Sequence, residues 1–205
     1  KDFLDKHQLK VTGNLKGKKI YIDPGHGGDD PGAVANGFIE RDINLVMSFA
    51  LAKFLKYLGA DIKMSRNNNA TNKSINARAK EALAWYSDLL ISVHNNAGGG
   101  DGFEAIHTIF KDHSIGDEVA ESIADAVEEY TDQNVRRIFS KENSSGRDWL
   151  GINRLSGSIP SVTTEGAFLD TLKDMEVIDT NEEQIEFGYV IGVGIAKYFG
   201  VIEKV

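Results

Sequence analysis

The chain has 205 residues, 41% hydrophobic and 26% charged, an ordinary globular balance that excludes disordered and fibrous architectures. Its 23 basic and 31 acidic residues leave a net charge of −8, so it lacks the positive field of a typical nucleic-acid binder. No run approaches the ~18 consecutive apolar residues of a membrane span, and the absence of cysteine excludes disulfides, thiolate metal ligands and cysteine nucleophiles together.

Residues 1–17 carry few apolar positions and are expected to form an arm or linker ahead of one domain over residues 18–205. The sequence opens at Lys1 with neither an initiator Met nor a signal-peptide core, as expected of a chain trimmed of a targeting segment or excised from a longer one. From Lys18, KKIYID is a β-branched and aromatic strand closed by the turn-forming PGHGGDDPG. A helix is predicted over Glu40 to Leu58, with Ile43, Val46, Met47, Ala50, Phe54 and Leu58 at three- and four-residue spacing and Gly59 as the stop. Residues 61–65 make a second strand, and a helix from Ser74 to Tyr86 follows an Asn-rich loop. Leu89 to Val93 is a nearly continuous apolar strand of the kind buried on both faces of a parallel sheet. After the glycine-rich NNAGGGDG come a strand over FEAIHTIF and a helix from Ile115 to Tyr130. Residues 132–158 are polar and expected to be irregular, residues 159–164 form the last strand, and two helical stretches finish near Phe199. Alternating strands and helices predict an α/β fold: a single domain built on a mostly parallel, doubly wound sheet flanked by helices.

In open α/β sheets, ligands bind beyond the carboxyl ends of the strands. The first strand runs into Asp23 and His26, the third into His94 and the last into Glu165, while Glu40 opens the helix after the loop carrying His26. Two histidines and two carboxylates from separate segments can therefore meet on one rim. Catalytic zinc commonly takes three nitrogen or oxygen ligands and leaves a fourth position for water, which it acidifies. An unliganded carboxylate beside that water then serves as general base and proton donor. His26, Glu40 and His94 are the candidate ligands and Glu165 the spare carboxylate. No helix-borne H-E-x-x-H motif forces metal binding, and blander roles exist: His26 as a turn residue, Glu40 as a first-turn acid complementing the helix dipole, Glu165 as an exposed loop residue. His94, after five apolar residues, is the hardest to dismiss. The glycines of residues 25–32 match neither a phosphate loop nor G-x-G-x-x-G, and two aspartates among them would repel phosphate. His7, His107 and His113 are expected to be structural or exposed, and Arg136, Arg137 and Arg147 to lie in a solvated loop, with Arg147 within reach of a substrate.

The blocks IYIDPGHGGDDPGA (20–33), ISVHNNA (91–97), GFEAIHTIF (102–110) and VTTEGAFLD (162–170), with the isolated Glu40, resemble the zinc-dependent N-acetylmuramoyl-L-alanine amidases, bacterial cell-wall hydrolases. Thr164 and Asp170 depart from the family pattern, where an apolar residue precedes the glutamate and Asn ends the block, and residues 140–155 differ from its shorter loop. The resemblance implies that residues 18–205 are a catalytic domain holding one zinc per chain on His26, Glu40 and His94, with Glu165 as catalytic glutamate and Asn96 as a substrate contact. It implies hydrolysis of the amide between the lactyl group of N-acetylmuramic acid and L-alanine, with peptidoglycan as partner and the cell wall or exterior as location. A zinc endopeptidase or deacetylase acting on the same polymer, or a non-catalytic wall-binding or activator module, are the alternatives. A net charge of −8 suits adhesion to anionic wall polymers poorly, which points to a separate targeting module or partner.

Overall fold

The alternation of apolar strands with amphipathic helices produces, in the computed structural model, a sheet covered by helices on both faces; the structure describes residues 2–109 and 113–205. In chain order the elements are α1 (Asp2–Lys6), β1 (Leu9–Val11), β2 (Lys19–Pro24), β3 (Val34–Ala35), β4 (Phe38–Ile39), α2 (Glu40–Tyr57), β5 (Asp61–Met64), α3 (Ile75–Ala84) and β6 (Leu89–Asn96). Then follow β7 (Phe103–His107), α4 (His113–Tyr130), β8 (Val135–Phe139), α5 (Gly151–Leu155), β9 (Ser161–Phe168), α6 (Leu172–Met175), α7 (Asn181–Tyr198) and β10 (Ile202–Lys204). Phe110, the last residue of the predicted FEAIHTIF strand, lies outside the described residues.

Among the described residues, six strands form the main sheet in the order β5-β2-β6-β9-β7-β8. The first four run parallel, and β7 turns back antiparallel to β9 with β8 parallel to it. The period-2 pleat sorts the side chains between two cores. Ile20, Ile22, Leu89, Ile91, Val93, Val162, Phe103 and Ala105 point to the face covered by α2, α4 and α7. Tyr21 and Leu90, one residue out of phase, pack with Ala79, Ala82 and Ile152 of α3 and α5 on the other face. This second core is small, and the next residues along the same face are Asp23, Ser92, His94, Thr163 and Glu165. The candidate rim is thus the polar extension of the smaller core.

Several boundaries differ from the sequence expectation, each for a physical reason. The strand expected over 159–164 begins at Ser161 and runs on to Phe168, and β6 continues past Val93 to Asn96, because these two strands pair with one another along this length. His94 and Glu165 therefore lie within strands, and the pleat fixes their direction. Residues 132–158 are not wholly irregular. Val135 and Ile138 pack on the larger core while β8 pairs with β7, and α5 closes the face of α3. The N-terminal segment, expected as an arm or linker, buries Leu4, Leu9 and Leu15, and β1 pairs with β10 in a separate two-stranded ribbon. No described helix is long and apolar enough to cross a membrane.

Candidate active site

Glu40 is the centre of the site. It is the first residue of α2, buried to 3% exposure, and each of its carboxylate oxygens faces a histidine. His26 Nε2 lies 3.1 Å from Oε2, and His94 Nδ1 lies 3.0 Å from Oε1. The backbone N–H groups of Ala33 and Asn95 and the side-chain amide of Asn44 also donate to this carboxylate, at 2.9, 3.2 and 3.1 Å. Burial alone would penalise its charge, but the hydrogen bonds and charges of the two imidazoles hold its carboxyl well below the usual carboxylate range. Conversely, burial opposes protonation of His26, and Glu40 with Asp30 overrides it, so that its pKa is pushed up to about 9. One ligand-type atom from each of His26, Glu40 and His94 falls within 4.8 Å of the others, a donor set of two imidazoles and a carboxylate that suits a divalent metal such as zinc.

Three devices hold this geometry. His26 adopts a left-handed φ of 61°, and the Arg78 guanidinium, ion-paired to buried Asp23 at 3.0 Å, donates to the carbonyls of Pro24 and His26. Asp23, one of the strand-end acids, is thus occupied in bracing the loop through Arg78, Ser65 and Ser92. Asp30 Oδ2 sits 2.9 Å from His26 Nδ1, orienting the ring from its far side. Two glycines leave room for the imidazoles: a Cβ at Gly25 would lie 2.3 Å from the His94 ring, and one at Gly32 would lie 2.4 Å from Glu40 Oε2 and 2.6 Å from His26. Arg78 and Arg66, whose guanidinium grips the carbonyls of Pro24, Gly25 and Arg41, were not foreseen as site residues. Both are buried, at 5% and 4% exposure, which nothing local in the sequence announces.

Glu165 stands opposite His94 in the β6–β9 register and lines a cavity of about 300 Å³ with His26, His94, Asp30, Ser74 and Ile152. Its Oε2 is shielded from solvent without a hydrogen-bond partner among the described residues. Burial, reinforced by the charges of Glu40 and Glu104 against that of His94, pushes its carboxyl up to about 7. Asn96 lies two residues beyond His94 on the same strand face, where it donates to Glu104 at 3.3 Å and accepts from Ala97 N–H. His107 is buried between the Thr108 carbonyl and Asp117, and Arg147 is exposed. Arg136 and Arg137, in contrast, belong to β8 rather than to a solvated loop, and both reach buried Glu104.

A sequence profile described as N-acetylmuramoyl-L-alanine amidase matches residues 20–197. The sporulation-specific N-acetylmuramoyl-L-alanine amidase of Bacillus subtilis (strain 168) is 32% identical over 173 residues, covering 80% of this chain and 61% of that protein. The N-acetylmuramoyl-L-alanine amidase CwlM of Bacillus licheniformis is 30% identical over 185 residues, covering 87% of this chain and 68% of that one. Among solved structures, Cwp6 from Clostridium difficile superposes with a TM-score of 0.84 at 29% identity, covering 88% of this chain and 29% of that chain. The chain therefore spans about three-fifths of the sporulation enzyme and less than a third of Cwp6.

Proposed function

The chain belongs to the N-acetylmuramoyl-L-alanine amidase family, and from that premise we propose that it hydrolyses the amide joining the lactyl group of N-acetylmuramic acid to L-alanine in peptidoglycan. His26, Glu40 and His94 would hold one zinc ion, and Glu165 would be the general base. The observation that carries this reading is the placement of Glu165, unpartnered at Oε2 and facing the cavity, directly across from His94 of the three-residue cluster. When bound, zinc supplies Lewis acidity, which polarises an amide carbonyl and brings the pKa of water to about 7.

The chain's own residues do the rest. In the metal-free site Glu40 and Asp30 favour the protonated form of the His26 imidazole, whereas a dication would bind the neutral ring, so metal uptake is expected to release a proton. Asp30 holds the His26 ring so that Nε2 keeps facing the cluster. Glu165 takes the proton of the attacking water and returns it to the alanine nitrogen, which must be protonated to leave. Asn96, on the same strand face as His94, has one amide hydrogen left for a substrate carbonyl. A wall substrate places the enzyme at the cell wall, outside the membrane, and a chain of net charge −8 is expected to reach it through a separate targeting module or partner.

Digestion of purified peptidoglycan followed by mass spectrometry tests the reading. The expected products carry new L-alanine amino termini without a matching rise in sugar reducing ends. New reducing ends would indicate a glycosidase, and a new amine on a later stem residue an endopeptidase.

A further inference from the structure

A second polar arrangement lies beside the site on the same sheet face. Four residues stand in one row across four strands: His94 is opposite Glu165, Glu165 opposite Glu104, and Glu104 opposite Arg137. Directly paired residues project to the same face, so the row carries the zinc-ligand candidate, the proposed base, a second carboxylate and a cation in sequence. A register shift between Phe103 and Glu104 skips Arg136 in the β7–β8 pairing. Such a bulge re-aims side chains, and here it lets two consecutive arginines reach one acid. Arg137 forks onto Glu104 with Nε at 2.9 Å and Nη2 at 3.2 Å, while Arg136 Nε lies 3.0 Å from the same Oε1.

Glu104 is 2% exposed, whereas the side chains of Arg136 and Arg137 are 40% and 53% exposed. Apolar replacements of a buried ion pair are often as stable or more so, so stability alone is a weak reason for this carboxylate. What it does is fix two guanidinium planes, which also lie over the rings of Phe168 and Phe139 at 5.2 and 4.2 Å. Two guanidinium groups meet one buried acid, and the other acid nearby, Asp101 at 3.8 Å from Arg136, is 54% exposed. Each guanidinium has five N–H donors, most of them unused by Glu104 and open to solvent.

We propose that Arg136 and Arg137, anchored by Glu104, form a subsite for a free carboxylate on the peptide part of the substrate, one or two residues beyond the scissile amide. The placement follows from spacing. Arg137 stands two strands from Glu165, about 10 Å between backbones. An extended peptide advances roughly 3.3–3.6 Å per residue, and the arginine side chain reaches back over part of the gap. Planar forks held in register are the donors that match a carboxylate best. The proposal rests on the amidase reading, since it takes the scissile bond to lie at Glu165.

The test uses the zinc-loaded full chain and two synthetic probes, an N-acetylmuramoyl-L-alanyl peptide with a free α-carboxylate on the residue after alanine and its carboxamide twin. Wild type is expected to favour the carboxylate by roughly 10–100-fold in kcat/KM, the worth of hydrogen bonds to a charged group. In Arg137→Gln and in the Arg136→Gln/Arg137→Gln double variant the ratio of the two substrates should collapse toward one, chiefly through KM. Because Arg137→Gln leaves Glu104 short of a partner, Glu104→Gln/Arg137→Gln is made alongside it, with no buried charge stranded, and should lose the preference equally. A wild type that cleaves both probes equally, or variants that keep the preference, overturns the subsite and leaves the amidase reading standing. A wild type that frees no alanine amine from either probe or from purified peptidoglycan overturns both.

Discussion

His94 and Glu165 occupy directly opposed positions on the parallel strands β6 and β9, so a ligand candidate and an uncommitted carboxylate share one face at one level of the sheet. Their roles should separate on substitution. Glu165→Gln keeps shape but cannot accept a proton, so it should retain zinc and lose roughly 10²–10⁴ in turnover. His94→Ala should lose zinc and activity together. Parallel metal analysis and rate measurements check this, and loss of stoichiometric zinc from Glu165→Gln would make Glu165 a ligand instead.

Gly32 and Gly37 give a matched contrast. Both have positive φ, 67° and 85°, but a Cβ at Gly32 would strike Glu40 and His26, whereas one at Gly37 meets nothing within 4 Å. Gly37→Ala should cost only the left-handed strain, about 1–2 kcal/mol, and bind zinc as wild type does. Gly32→Ala should cost more and weaken zinc binding. Denaturant midpoints and zinc titrations on the two variants make the comparison, and equal zinc affinities would show that the crowding at Gly32 is relieved elsewhere.

Asp30→Ala removes the acceptor behind His26 Nδ1 and leaves every direct ligand candidate in place. Zinc affinity should fall by roughly 10–100-fold, the usual worth of such an orienting partner. Competition against a chelator of known affinity measures it. An unchanged affinity would mean that the Arg78 bond to the His26 carbonyl alone fixes the ring.

Glu165 also makes a pH prediction for the metal-free protein. Its carboxyl is raised from an ordinary 4.5 to about 7, chiefly by burial, so the folded chain holds a proton that the unfolded chain has already released within that window. Stability from this group is complete below about pH 4.5 and is lost as pH rises through about 7. The loss should amount to about 3 kcal/mol at 1.36 kcal/mol per unit. Urea unfolding of wild type and Glu165→Gln across this range should converge at the acid end and diverge at neutrality, with the variant more stable. Parallel curves would show that the folded protein hydrates this carboxylate.

The sequence was most readable where one residue type has few alternatives. The apolar run 89–93 could be little but a buried strand, and of the residues expected on one rim His26, Glu40 and His94 do cluster, while Glu165 lines the cavity beside the two histidines. The extra reach of β6 and β9 was hidden because His94-Asn95-Asn96 and Glu165-Gly166 are polar and look like loop, although pairing between the strands satisfies their backbones. The strand VRRIF was hidden by its arginines, since nothing local announces that a bulge and a buried Glu104 will receive them. Asn36-Gly37 is itself a turn signal. Both residues have positive φ, and they form the two-residue turn of the β3–β4 hairpin that delivers the chain to Glu40.

The pairing of β1 with β10 sets Leu9 opposite Lys204 and Val11 opposite Ile202, so the last strand returns to within one short helix, α1, of the first described residue. A circular permutant that joins the start of α1 to the end of β10 through a flexible linker and reopens the chain at the exposed tip around Ser144–Ser145 should therefore fold to the same sheet, with the cluster of His26, Glu40 and His94 intact. The geometry has a second consequence for engineering. A binding domain fused ahead of α1 and one fused after Lys204 start within one short helix of each other, so swapping a fusion from one end to the other should change its reach toward the cleft little.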